Sequence, residues 1–78
     1  MPNIDLYSYI EHKIGSSIED IIADSPERFS VIQTEALRDL VVMNQIAGTD
    51  HTVLLHRSTL QIPECKRLSS EIPFSVLD

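Results

Sequence analysis

The stretch PERFSVIQTEALRDLVVMNQIA, Pro26 to Ala47, decides the fold class. Within it Phe29, Ile32, Ala36, Leu40, Met43 and Ala47 recur at steps of three and four, the spacing that stacks side chains on one face of a helix. Leu37, Val41 and Ile46 widen that stripe beyond what a helix lying on a surface needs, so the segment is expected to be buried along much of its length. Pro26 suits the first helical position, where its missing N–H has no intrahelical partner to lose, and Gly48 supplies a stop. The weakest point of the helix is Gln33–Thr34, where a break is allowed.

Upstream, Asp24-Ser25-Pro26 ends one helix and starts the next. Ser16 or Ser17, paired with Glu19 or Asp20 three residues on, makes a capping-box arrangement for a short helix over residues 18–24, in which Ile18, Ile21 and Ile22 are apolar at three- and four-residue spacing. Before it, Leu6, Tyr7, Ile10 and Ile14 fall at helical spacing and Gly15 follows, giving a helix over residues 4–14 with Asn3 as its N-cap. Downstream the signal weakens. Thr52-Val-Leu-Leu-His56 fits either a buried strand or a helix capped by Asp50, because periodicity cannot separate the two over so short a run. Pro63 opens a short helix reaching Ser70, with Ile62 pushed towards an extended conformation in front of it. Ile72–Pro73 is another extended step, and the apolar tail Phe74-Ser-Val-Leu-Asp78 docks on the body of the protein or on a partner. The expected architecture is mainly α: one small domain, a bundle of three to four helices, with an irregular or short-strand segment near residues 50–62.

The chain has 78 residues, and one of this length buries only about 60–65% of the surface its unfolded form exposes. Domains with so thin a core often gain stability by oligomerising, so a homodimer is expected on size alone. Leu40 and Met43 on the long helix, with Phe74, Val76 and Leu77 in the tail, are the candidate self-association or tail-docking residues. The longest unbroken apolar run, Leu40–Met43, stops at Asn44, so no segment is expected to span a membrane, and with no leader-like start the expected location is the cytoplasm.

Twelve acids face six bases, a formal charge of −6. Residues 1–39 hold eight acids and three bases, residues 40–78 four and three, so the negative field belongs to the first half. A chain that neutralises phosphates shows a basic patch. Here the bases cluster only at Lys66–Arg67, with Arg57 near, which disfavours direct nucleic-acid binding. The short turn between the second and third helices leaves a helix-turn-helix reading open, with Arg28, Gln33, Arg38, Asn44 and Gln45 on the recognition helix, but its charge would have to come from a partner chain.

Glu19, Asp20, Asp24 and Glu27 place four carboxylates within nine residues. They read either as a solvated face favouring two helix N-termini, or as an acidic ridge that meets a basic surface on a partner protein. A calcium loop would need an Asp-x-Asp-x-Asp-Gly alternation that this run lacks. His51, His56 and Cys65, with His12 more distant, lack the paired close spacing of a structural zinc site, so no metal is expected. Cys65 with His56 as nucleophile and base would need an orienting third group that the sequence does not supply. Neither a Gly-x-Ser-x-Gly elbow nor a phosphate-cradling loop is present, and no catalysis or cofactor is expected.

In length, acidity and apolar tail the chain is similar in style to the small antagonist and antidote proteins of phages and mobile elements. That likeness implies a non-enzymatic inhibitor or adaptor. A homodimeric structural or regulatory protein is the alternative.

Overall fold

The structure is a computed structural model describing residues 3–47 and 52–77. Its elements run β1 (Asn3–Asp5), α1 (Leu6–Ile14), α2 (Ile18–Asp24), α3 (Pro26–Ala47), β2 (Thr52–His56), α4 (Arg57–Leu60), α5 (Pro63–Ser69) and β3 (Phe74–Leu77). Among the described residues there are thus five helices, one or two more than expected, and a three-stranded parallel sheet in the order β1-β2-β3. The chain is mainly helical, as the periodicity requires. No described helix is long and apolar enough to cross a membrane.

The long helix is continuous from Pro26 to Ala47 and does not break at Gln33–Thr34. Thr34 turns its hydroxyl back onto the Ser30 carbonyl at 3.0 Å, a bond a helix accommodates without interruption. Phe29, Ala36, Leu37, Leu40 and Val41 are buried, and α3 packs against α1, α2 and α5. Leu40, a candidate for self-association, is only 2% exposed, its side chain consumed by the chain's own core.

The start of the chain departs from expectation. Residues 3–5 form a strand, and the N-cap of α1 is Asp5 rather than Asn3, its carboxylate accepting the Tyr7 N–H at 2.9 Å. The helix begins at Leu6, so Ile4 packs from the sheet instead of from a helical turn. At the other end Gly15 adopts φ 81°, and its N–H donates to the Glu11 carbonyl at 2.8 Å, the left-handed closure expected there. The α2 helix matches its expected bounds. Ser17 caps it by accepting the Asp20 N–H at 3.2 Å, and Glu11 reaches from α1 to accept the Ile18 N–H at 2.8 Å. Two of the orphan donors that every helix start leaves are thereby satisfied.

Thr52–His56 is a strand, the first of the two alternatives its sequence allowed, and α5 stops one residue earlier than expected, at Ser69. Asp50, the cap that a helix there would have used, lies outside the described residues. Along β2 the fully buried Val53 and Leu55 alternate with half-buried Thr52, Leu54 and His56. Ile4 pairs with Val53, Phe74 with Val53 and Val76 with Leu55, so these side chains share the core-facing side of the sheet.

Candidate functional site

Between α1, α2 and α3 lies a groove of about 450 Å³. Buried Ile10, Ile21 and Ala36 and half-buried Ile32 give it an apolar floor, while Ile14 stands exposed at its lip. Its polar lining holds three carboxylates, Asp20, Asp24 and Glu35, and two cations, Lys13 and Arg28. Helical spacing explains the grouping. Asp20 and Asp24 are one turn apart on α2, and Arg28 is one further turn along, across the Ser25 joint.

Both cations already face carboxylates. Lys13 donates to Asp39 across the α1–α3 seam, and that hydrogen bond, with the Asp39 charge behind it, holds the ammonium pKa above its ordinary value. Arg28 lies 4.0 Å from Asp24, both side chains more than 70% exposed, so water and salt screen the pair and it is worth little. An Asp24 carboxylate held so loosely remains available to an incoming cation.

Of the four ridge acids, the structure gathers Asp20 and Asp24 in the groove. Glu19 and Glu27 are exposed beside them, outside its lining. Glu35, which belongs to the same site, was not among the acids singled out from sequence, and Arg28 was singled out only for a DNA-reading helix. Glu35 is two α3 turns beyond Arg28, so only the packing of α3 on α1 and α2 brings it to the rim. The tail candidates lie elsewhere. Phe74 and Val76 are 39% and 44% exposed on β3, Leu77 is half-buried, and Met43 is half-exposed on α3.

A second hollow of about 390 Å³, more apolar than polar, lies where β1 and β2 run into their following helices. Tyr7 is one of its lining residues. The phenol oxygen is 3.0 Å from the Ser58 hydroxyl, the ring stacks on His56 with centroids 3.9 Å apart, and Phe29 meets it edge-on at 5.4 Å. Below it the buried Thr59 hydroxyl donates to Gln33 Oε1 at 2.6 Å. These contacts join residues far apart in sequence, and no local motif announces them. They also spend Gln33, one of the side chains a DNA-reading helix would present, on the interior.

His56 is therefore committed to an aromatic stack. Cys65 is fully buried against the Thr34 hydroxyl at 3.6 Å, and burial pushes its thiol pKa up, away from thiolate reactivity. Among the described residues no three side chains of metal-ligating type converge, and His51 lies outside those residues. Compared with protein-family models, curated proteins and solved structures, the chain matches none.

Proposed function

We propose that the protein is a non-enzymatic binding module, a small acidic inhibitor or adaptor, and that its α1–α2–α3 groove receives a basic, amphipathic segment of a partner protein. The observation that carries this reading is the pairing of an apolar floor with a carboxylate rim in one groove. Apolar contact with half-buried Ile32 and exposed Ile14 supplies desolvation, and Asp20, Asp24 and Glu35 supply charge. Glu19 and Glu27 extend the negative field past the rim, which speeds encounter with a cationic surface and disfavours acidic competitors.

The test is affinity capture from a lysate of the source cells with the wild-type chain and with Asp20→Lys/Asp24→Lys/Glu27→Lys as baits. Wild type is expected to retain one basic protein in stoichiometric amount and to release it by about 0.5 M NaCl, where the Debye length is a few ångströms. The reversed variant is expected to lose that protein while keeping the wild-type far-UV circular dichroism. A partner held equally by both baits, or no stoichiometric partner on either, removes the reading.

A further inference from the structure

The core-facing side of the sheet runs out of helical cover at β3. Phe74 and Val76 sit in register with Val53 and Leu55, both fully buried, yet are 39% and 44% exposed themselves. Parallel sheets are ordinarily covered on both faces, and an apolar edge strand without a charge or an internal proline is a template for further pairing. The other edge is protected: β1 has three residues, and its last, Asp5, is tied to the start of α1.

Backbone and side-chain geometry specify the pairing that fits. Val53 donates its N–H to the Pro73 carbonyl at 3.0 Å. In a parallel ladder such bonds alternate along the strand, so Ser75 and Leu77 turn their backbone groups towards β2, and Phe74 and Val76 turn theirs outwards. A two-fold axis at Ser75 places Phe74 opposite Val76 of a second copy and Val76 opposite its Phe74. Those pairs exchange about four N–H to carbonyl bonds, and all four apolar side chains fall on the core-facing side. Ser75 meets its own equivalent at the axis.

Charge opposes pairing least at the same edge. Residues 1–39 carry eight acids and three bases, a net −5, whereas residues 40–78 carry four acids and three bases, a net −1. Most of the repulsion between two acidic chains therefore comes from the first half of the sequence, and β3 itself holds no charge. We infer that β3 is a self-association edge, at which two copies pair antiparallel about Ser75 into one six-stranded sheet. The strand is short, so the dimer is a weak one, below the area of a standard stable interface.

Sedimentation equilibrium of the full chain from about 10 µM to 1 mM tests this, in the weak-interface regime. The mass is expected to rise from 8.8 kDa towards twice that value. Val76→Pro removes an outward N–H that the monomer does not use, and Val76→Lys places a charge in the apolar cluster. Each is expected to hold the chain at monomer mass with unchanged circular dichroism. Ser75→Cys, oxidised with diamide, is expected to give a disulfide-linked dimer, because residues facing each other in a non-hydrogen-bonded antiparallel pair lie within disulfide reach. Glu19→Cys, on the acidic side, is expected not to. A wild type that stays monomeric throughout, a dimer that survives both Val76 variants, or equal cross-linking through Glu19→Cys overturns the inference. None of these results bears on the α1–α2–α3 groove, which lies on other elements.

Discussion

Gln33 occupies the inward face of α3, a position where leucine would pack more simply. It is 4% exposed, and its carbonyl oxygen accepts the hydroxyl proton of Thr59, which is completely buried. The bond joins α3 to α4 inside the core, where an unpartnered polar atom costs far more than the bond gains. Thr59→Val preserves shape but strands the Gln33 amide oxygen, and is expected to destabilise the fold by about 1–3 kcal/mol in urea denaturation. Gln33→Leu with Thr59→Val removes both polar partners. The double variant is expected to lose less than the sum of the two single losses, the signature of a coupled pair. Strict additivity would show that the two side chains contribute independently and that the bond has no role in locking α4 onto α3.

At the scale of elements, the short joints do most to set the layout. The turn from α1 to α2 depends on Gly15, whose φ of 81° lies in the left-handed region, with open space where a Cβ would stand. The cost of a side chain there is therefore backbone strain alone. Gly15→Ala is expected to lower stability by about 1 kcal/mol and Gly15→Asn by less, since asparagine tolerates that region better. Equal losses in denaturation midpoint would place the cost in packing instead. Punctuation of this kind is why α2 and α3 were legible from sequence: Ser17, Ser25-Pro26 and Gly15 act within a few residues of the ends they set. The outer two strands were not. β1 and β3 are three and four residues long, and their hydrogen-bonding partners lie in β2, remote in the chain. Nothing local distinguishes Asn3 as a strand residue from Asn3 as a cap, because both are extended, and the true cap, Asp5, is only two residues on. The groove was half legible for the same reason. Asp20 and Asp24 belong to one helix and could be grouped by spacing, whereas Glu35 and the floor residue Ile10 join them only through helix packing.

Across the whole molecule, the separation of charge has a thermodynamic consequence. The ion pairs on the surface, Lys13–Asp39 and Arg67–Glu64 among them, are exposed and contribute little each. The crowded carboxylates of α2 and the start of α3 repel one another over distances shorter than a Debye length at low salt, roughly 30 Å at 0.01 M against 10 Å at 0.1 M. Screening thus removes more repulsion than attraction, and the melting temperature is expected to rise with NaCl over that range. Asp20→Lys/Asp24→Lys/Glu27→Lys brings the formal charge from −6 to zero, and its melting temperature is expected to respond to salt weakly or with the opposite sign. The slope against salt is the diagnostic quantity rather than the absolute stability, because Asp20 and Glu27 also lie in first helical turns, where an acid is favoured by the helix dipole and a lysine is not. Parallel slopes for wild type and variant would mean that the acidic side is too well solvated to feel its own charge. The same solvation would leave little field at the groove to draw in a basic partner, so this melting experiment weighs on the proposed binding mode before any partner is in hand.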